Sequence, residues 1–126
     1  MILVDTSVWV DHLRQGDLSV VLLLENSQVL VHPWVTGELA LGTLRNRDEI
    51  LQLLTSMPQA PVIGHDAMLG FISEAKIYGR GIGFVDAQLL ASARAASGTL
   101  LWTRDRRLAN VAAELDILFP EGSHPS

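Results

Sequence analysis

Short, largely apolar runs alternate with longer segments of helical spacing along this chain. The apolar runs cover residues 1–4, 28–31, 99–102 and 117–119, and a further extended piece is expected around Val62. Apolar strands that alternate with helices are typical of a parallel sheet that is covered on both faces. The pattern therefore predicts an α/β fold with a central, mainly parallel sheet of four to five strands.

Helix signals fill the segments between these runs. Asp17 can cap a helix with its carboxylate, Pro33 suits a first helical turn, and Gly16 and Gly98 are typical of helix ends. The predicted helices run from after Asp5 to residue 14, and then cover residues 17–25, 33–44, 48–55, 65–78, 86–96 and 105–114. At 126 residues, the chain is expected to form a single domain, residues 1–126, with a frayed end at 121–126.

Three carboxylates lie where predicted strands end or where the next helix begins. Asp5 ends the first strand, Asp105 follows the strand at 99–102, and Asp86 opens the helix that leads into that strand. Ligands of parallel sheets bind at the carboxyl ends of the strands. The three acids, although distant in sequence, are therefore expected to converge on one edge of the sheet.

A fourth carboxylate, Glu38, joins them through its helical phase. It follows Val35 by three residues and directly precedes Leu39, so it is expected on the apolar stripe of its helix. Asp86 has the same relation to Leu89, which is expected to point Asp86 toward the sheet as well.

Acids placed against apolar surface require compensation. Their lost hydration costs several kcal/mol, and no Lys or Arg stands at a spacing that would pair all four. A hard divalent cation would pair them, and oxygen-rich acidic pockets suit Mg²⁺ or Mn²⁺. Because such ions commonly act on phosphate esters, the acids predict a small metal-dependent nuclease.

Each acid alone also has an ordinary explanation. The three aspartates could each cap a helix, and Glu38 could lie on an exposed helix face. Thr6 and Ser7 are candidates for two roles at once, as capping hydroxyls and as groups that orient the carboxylate of Asp5. The joint pattern of four acids favours a common site.

The net charge of −5 argues at first against a nucleic-acid partner, since affinity for phosphates normally comes from Lys and Arg. Neutralising the four acids with metal would leave a charge of −1 on the rest of the chain. Arg104, Arg106 and Arg107 follow the strand at 99–102 and are candidate phosphate contacts, because a guanidinium can bind phosphate through two hydrogen bonds.

The apolar content of 48% and the mean hydropathy of +0.29 are high for a small soluble protein. The longest apolar run, residues 20–24, is still far too short to span a membrane. The surplus is therefore expected at protein interfaces. The helix at 17–25 is predicted to bind a partner through outward positions such as Val20 and Leu24.

Several classes of site are excluded or disfavoured. The chain has no cysteine, which excludes disulfides, zinc thiolate sites and thiol catalysis, and its four histidines show no ligand spacing. The N-terminus has neither a basic region nor a cleavage site, so a cytoplasmic location is expected. The residues expected to be core or interface anchors, rather than stacking platforms for bases, are Trp9, Trp34 and Trp102.

Four segments carry a family resemblance: MILVDTSVW at residues 1–9, GEL at 37–39, GFVDAQLLASA at 83–93 and LWTRDRRL at 101–108. In order and spacing they resemble the motifs of PIN-domain ribonucleases of the VapC toxin type, nearly end to end. The resemblance implies a PIN-like three-layer α/β/α fold. Phe84 stands where many relatives have Trp, a change that is expected to alter packing more than chemistry.

The resemblance also implies roles for the site residues. The catalytic and metal-binding quartet would be Asp5, Glu38, Asp86 and Asp105. The supporting hydroxyls would be those of Ser7 and Thr103, in addition to Thr6. One or two Mg²⁺ or Mn²⁺ ions would be the cofactor, and cleavage of RNA would leave 5′-phosphate and 3′-hydroxyl ends.

Toxins of this type pair with a small antitoxin. A VapB-like partner is therefore expected to wrap the apolar helices and to insert into the acidic pocket. A homodimer is expected by analogy. Contact with a membrane is not expected, nor is direct binding to DNA except through the antitoxin.

Other classes of protein also place acids at strand ends. A receiver domain needs a strand-end lysine near the chain end, and Lys76 falls inside a predicted helix. A haloacid-dehalogenase-type phosphatase needs a second Asp two positions after the first, where this chain has Ser7. A PIN-like scaffold that only binds RNA or protein remains the alternative, and a cleavage assay with and without chelator distinguishes it from the nuclease.

Overall fold

The computed structural model describes residues 1–121. Its parallel strands are β1, Ile2–Val4, β2, Val29–Leu30, and β3, Leu100–Trp102. β1 lies between the other two, and its register pairs Val4 with Trp102 at the carboxyl end of the sheet. Nearly every strand residue is buried, as expected for a parallel sheet with both faces covered.

Helices make up most of the remaining chain. They are α1, Thr6–Gln15, α2, Leu18–Glu25, α3, Pro33–Ala40, α4, Arg47–Ser56, α5, His65–Glu74, α6, Phe84–Ala95, and α7, Arg106–Glu114. The predicted α/β fold with a mainly parallel sheet is confirmed. None of the helices in residues 1–121 is long and apolar enough to cross a membrane.

Side-chain caps begin three of these helices. Asp17 Oδ1 accepts two backbone N–H bonds at the start of α2, at 2.9 and 3.3 Å, which confirms its predicted role. Asp105 Oδ1 accepts from Leu108 N at 3.0 Å and caps α7. α3 begins differently, because Nδ1 of His32 accepts from Trp34 N at 3.0 Å.

The sheet is smaller than the four to five strands predicted. Within the described residues it has three strands, and the expected strand at 117–119 is reduced to an isolated parallel bridge between Leu118 and Leu101. The extended piece around Val62 is not a strand, since the bridge to Val31 is made by Gln59 instead. Prolines on both sides of this bridge lack an N–H donor and limit the pairing to a single step.

Three helix boundaries differ from the predictions by two residues or more. α3 ends at Ala40 instead of residue 44, and α5 ends at Glu74 instead of residue 78, shortly before Lys76 adopts a left-handed φ of 55°. α6 begins at Phe84, so Asp86 is the third residue of this helix and not its first. Its carboxylate turns back to accept a hydrogen bond from Gly83 N at 3.2 Å.

The core joins the sheet to buried residues of all seven helices, and α6 contributes the most of them. This helix is buried along seven consecutive residues from Ala87 to Ala93, including the polar side chains of Gln88 and Ser92. α2 is less exposed than predicted: Val20 is fully buried, so its expected outward position is wrong, while Leu18 is 72% exposed. Val20 and Leu23, the two buried residues of α2, are three positions apart and lie on one inward-facing stripe of the helix.

The predicted frayed end is only partly testable, because residues 122–126 lie outside the described residues. Glu121 is described, and its carboxylate accepts a hydrogen bond of 2.5 Å from Nε of Arg104. Glu121 thus forms an ion pair with Arg104 at the end of the described chain.

Candidate active site

Asp5 lies at the point where β1 passes into α1. Its N–H donates to the carbonyl of Trp102 at 2.9 Å, which continues the pairing of β1 with β3. The side chain is 5% exposed, and its Oδ2 accepts hydrogen bonds of 2.7 Å from both Ser7 Oγ and Thr103 Oγ1. Oδ1 accepts no hydrogen bond from any residue that the structure describes.

The two hydroxyls beside Asp5 are themselves held by backbone groups. Ser7 Oγ accepts from Arg104 N at 3.0 Å, and Thr103 Oγ1 accepts from Asp105 N at 3.0 Å. Because each oxygen already receives a backbone N–H, its own hydrogen is directed at Asp5. The carboxylate is therefore oriented by a network that joins the ends of β1 and β3.

Glu38 approaches the same edge from α3. Its Oε1 accepts a hydrogen bond of 2.6 Å from the hydroxyl of Thr6, the first residue of α1. Val35 and Leu39 are buried, whereas Glu38 is exposed, so the expectation that it shares their buried stripe is wrong. It lies at the solvent edge of that stripe, where its carboxylate stays hydrated.

Asp86 is half-buried and electrostatically coupled to the other acids. Loss of solvent raises the pKa of its carboxyl, the hydrogen bond from Gly83 N lowers it, and the negative charges of Asp5, Asp105 and Glu38 raise it further. The other three predicted acids therefore all lie within electrostatic reach of Asp86.

An ordinary explanation holds for three of the four acids: Asp105 caps α7, Asp86 accepts the Gly83 N–H at the start of α6, and Glu38 is exposed on α3. Asp105 caps α7 with its side chain, although it is exposed and still acts on Asp86 through space. Asp5 occupies a cap position but makes no side-chain cap, since its carboxylate faces Ser7 and Thr103 instead.

Within residues 1–121, no basic side chain forms an ion pair with these four carboxylates. The ion pairs within residues 1–121 involve other acids, namely Asp11, Asp17, Asp48, Glu114 and Glu121. The donors to the four site acids are hydroxyl and backbone N–H groups. Four carboxylates with only neutral donors form the oxygen-rich, uncompensated set that suits a hard divalent cation.

The acids are near one another but are not gathered around a point. In the described part of the chain, no group of three or more His, Cys, Asp and Glu side chains is arranged so that it could hold a metal ion. Uncompensated carboxylates repel one another, and each of the four is turned toward its own hydrogen-bond donor. The donor chemistry fits Mg²⁺ or Mn²⁺, but joint binding needs the carboxylates to move closer together.

The three candidate phosphate-binding arginines separate into two groups. Arg104 donates to Asp11 at 2.7 Å and to Asp17 and Glu121 at 2.5 Å, and it lies over the ring of Trp102. Its guanidinium therefore joins α1, the start of α2 and the chain beyond α7, which leaves it unavailable for phosphate.

Arg106 and Arg107 are exposed at the start of α7, directly after Asp105. Nη1 of Arg107 reaches the carbonyl oxygen of Gly81 at 3.5 Å. These two arginines remain candidates for phosphate contacts.

A buried polar pair behind the site was missed by sequence reasoning. His32 and Gln88 are both fully buried, with 3.2 Å between His32 Nε2 and Gln88 Oε1. Since Nδ1 of His32 accepts the N–H of Trp34, Nε2 carries the hydrogen and donates it to Gln88. Burial lowers the pKa of His32, and the bond to Gln88 opposes this shift.

Gln88 also binds the loop that precedes α5. Its Oε1 accepts from Ile63 N at 2.7 Å, and its Nε2 donates to the carbonyl of Ile63 at 3.0 Å. Ser92 donates to the carbonyl of Pro61 at 2.7 Å. The available signal was the spacing of Gln88 and Ser92, two polar residues four apart in the otherwise apolar stretch 87–93.

A groove of about 790 Å³ opens beside Thr6 and Glu38. It lies between α1, α3 and the start of α4, and its surface combines apolar side chains with two arginines. The lining includes Val10, Leu13, Leu39, Leu44, Arg14 and Arg45. The groove is continuous with the acidic site because Thr6 and Glu38 belong to both.

Comparison with known proteins gives a consistent result. The PIN domain family model matches residues 2–114. Ribonuclease VapC32 from Mycobacterium tuberculosis strain CDC 1551/Oshkosh is 46% identical over 121 residues, which cover 96% of this chain and 98% of that protein. The same values hold for ribonuclease VapC32 from strain ATCC 25618/H37Rv.

The fold has a solved counterpart. The crystal structure of PAE2754 from Pyrobaculum aerophilum superposes with a TM-score of 0.55 over 87% of this chain and 78% of that chain, at 21% identity. The predicted PIN-like α/β/α fold is thus confirmed, with the reduced sheet described above. The match to the family model contains all four acids. The chain belongs to the PIN domain family and, within it, to the VapC-type ribonucleases.

Proposed function

We propose that this protein is a metal-dependent endoribonuclease toxin that hydrolyses RNA phosphodiester bonds and leaves 5′-phosphate and 3′-hydroxyl ends. One observation carries the proposal: Asp5, Glu38 and Asp105, from three separate segments, all lie within electrostatic reach of Asp86, and no basic side chain of residues 1–121 forms an ion pair with any of the four. The name of the relatives, ribonuclease VapC32, supports the reaction and its substrate class.

The metal would be held by carboxylate oxygens of Asp5, Glu38, Asp86 and Asp105. When bound, Mg²⁺ or Mn²⁺ would supply Lewis-acid chemistry to the attacking water, the phosphate and the leaving 3′ oxygen. Asp5 is the most prepared ligand, since two hydroxyls fix its Oδ2 while Oδ1 is free of protein donors. Glu38 would bind through the oxygen that does not accept from Thr6, or would release that hydroxyl.

The remaining residues have positioning and substrate-binding roles in this proposal. Ser7 and Thr103 hold the carboxylate of Asp5 in one orientation, and Thr6 does the same for Glu38. Arg106 and Arg107 contact phosphates of the RNA from the exposed start of α7.

A VapB-like antitoxin would neutralise the enzyme from the groove between α1 and α3. The groove offers an apolar floor for a partner helix, and Thr6 and Glu38 connect it directly to the acids. A partner residue with a positive charge would then reach the carboxylates without leaving the groove.

The proposal also includes a homodimer, a cytoplasmic location and no direct contact with DNA except through the antitoxin. Leu18 of α2 is 72% exposed, and Leu24 is half-buried, so this helix still offers apolar surface to a second copy or to the antitoxin.

The test is a cleavage assay on total cellular RNA, with the ends of the products mapped. We expect cleavage by the wild-type protein with Mg²⁺ or Mn²⁺, no cleavage with chelator, and no cleavage by Asp86→Asn under either condition. A protein that binds RNA or an antitoxin but cuts no RNA with either metal is the non-catalytic scaffold, and the proposal is then wrong.

A further inference from the structure

Two aromatic rings with solvent-accessible surface lie beside the acidic site. Phe84, the first residue of α6, is 42% exposed, and Trp34, in the first turn of α3, is partly exposed. Their ring centroids are 6.0 Å apart, with 37° between the planes, and the exposed His65 lies 6.0 Å from Phe84. Large rings of this kind usually supply core contacts, so their clustering at the surface indicates a binding role.

Each ring shares its helix with a site acid. Trp34 and Glu38 are four residues apart on α3 and so lie on one face, with about 6 Å between their Cβ atoms. Phe84 directly follows Gly83, whose N–H binds the carboxylate of Asp86 at 3.2 Å. The aromatic pair therefore spans the same gap between α3 and α6 as the carboxylates of Glu38 and Asp86.

A basic side chain lies at the edge of the gap that the aromatic pair spans. Arg107 contacts the carbonyl oxygen of Gly81, three residues before Phe84. A nucleotide bound at the acids therefore has two groups beside residues 81–84, a guanidinium for its phosphates and an aromatic surface for its base. Single-stranded RNA is bound by this combination, because every base has a flat face that stacks on aromatic rings.

We propose that Trp34 and Phe84 form a stacking subsite for an unpaired nucleobase next to the scissile phosphate. The inference rests on the proposed ribonuclease function and names its substrate as RNA with an unstacked base at the cut. Two features set Trp34 apart from Trp9 and Trp102, which are 3% and 1% exposed and belong to the core. Trp34 is accessible, and its ring contacts that of Phe84.

The test measures RNA binding without cleavage. The Asp5→Asn protein is titrated with a short oligouridylate and with a backbone of the same length that lacks bases. Because Trp9 and Trp102 are buried, quenching of tryptophan fluorescence reports on Trp34. We expect quenching by the oligouridylate and none by the abasic backbone.

Substitutions then identify the rings. We expect Phe84→Leu to weaken binding about 10-fold or more, and Phe84→Trp to restore it, since stacking needs a ring and not this particular residue. Trp34→Leu, measured by anisotropy of labelled RNA, is expected to lose a similar factor. The control is Leu53→Ala on α4, which removes exposed apolar surface (57% exposed) outside the aromatic pair and is expected to bind like its parent.

Contrary results have distinct meanings. Equal quenching by the abasic backbone, or unchanged affinity in both Phe84→Leu and Trp34→Leu, overturns the subsite. Unchanged RNA affinity with a lower oligomer mass in light scattering assigns the rings to a contact between two copies. A wild-type protein that cuts no RNA refutes the proposed function, yet base-dependent quenching of Trp34 still supports the subsite.

Discussion

The hydroxyl of Thr103 donates a 2.7 Å hydrogen bond to Oδ2 of Asp5, across 98 residues of sequence. The two residues follow the paired ends of β1 and β3, where Val4 lies opposite Trp102. The bond therefore ties the orientation of Asp5, the acid that we propose as the best-prepared metal ligand, to the alignment of the two strands.

Thr103→Val removes this donor and keeps the shape of the side chain. We expect metal-dependent cleavage to fall about 10- to 100-fold, because losing a group that orients a metal ligand typically has that effect. Thr103→Ser, which keeps the hydroxyl, is the matched control and is expected to retain most of the activity. Equal activity in the two variants contradicts the orienting role.

Asp86→Asn tests the repulsion among the acids. The raised pKa of Asp86 means that its charged form is disfavoured in the folded protein, so above that pKa the carboxylate lowers the free energy of unfolding. This penalty disappears as the pH falls through the raised value toward the ordinary 3.8. We expect Asp86→Asn to abolish cleavage and to melt at the wild-type temperature or above it near pH 7, without metal. A lower midpoint contradicts the prediction.

Metal is expected to stabilise the fold. Ions bind the assembled acids far better than the unfolded chain, so millimolar Mg²⁺ or Mn²⁺ should raise the melting midpoint of the wild-type protein. The rise should be much smaller in Asp5→Asn and Asp86→Asn. Equal rises in all three proteins, measured in the same buffer, count against a site built from these acids.

His32 is expected to make stability depend on pH. Because burial lowers its pKa below the ordinary 6.5, the unfolded chain binds this proton more readily than the folded protein. The free energy of unfolding should therefore fall as the pH drops below about 6.5, since protonation also removes the acceptor for Trp34 N. Urea titrations between pH 7.5 and 5 measure the slope.

The matched variant for this effect is His32→Asn, whose side-chain oxygen can still cap α3. It should show a shallower slope than the wild-type protein over the same pH range. His65→Asn, which replaces an exposed histidine, is the control and measures the change in slope caused by replacing a histidine that is not buried. An identical slope in wild type and His32→Asn refutes the assignment.

Arg104 is expected to be structural. Arg104→Lys keeps the charge but cannot bind Asp11, Asp17 and Glu121 at once, and we expect a loss of about 1–2 kcal/mol in the free energy of unfolding. Arg80→Lys, whose pair with Glu114 is exposed, provides the control and should change stability less. If Arg104→Lys lowers the free energy of RNA binding by more than it lowers the free energy of unfolding, Arg104 is again a candidate phosphate contact.

The approach of the acids to one edge of the sheet could be predicted, because it follows from chain direction. Asp5 and Asp105 follow parallel strands, and parallel strands end at one edge. The exposure of Glu38 could not be predicted, because the sequence fixes the rotation of a helix about its axis only approximately. A carboxylate at the margin of an apolar stripe can then face either the core or the solvent.

The role of Arg104 was beyond sequence reasoning for a different reason. Its three partners lie 93, 87 and 17 residues away, and nothing local marks which of the exposed arginines they will meet. The overestimate of the number of strands has a local cause. The prolines near Gln59 have no N–H to donate, and only the tertiary structure shows that the pairing there stops after one bridge.

The pairing of Val4 with Trp102 has a consequence for how such an enzyme can diverge. A slip of one residue between β1 and β3 would turn the following side chains to opposite faces and separate Asp5 from the Thr103 hydroxyl. If Asp5 is the metal ligand that we propose, catalytic activity and correct strand alignment depend on the same pairing of residues. The surfaces of α3, α6 and α7 around the acids can then change the RNA that is bound without disturbing that alignment.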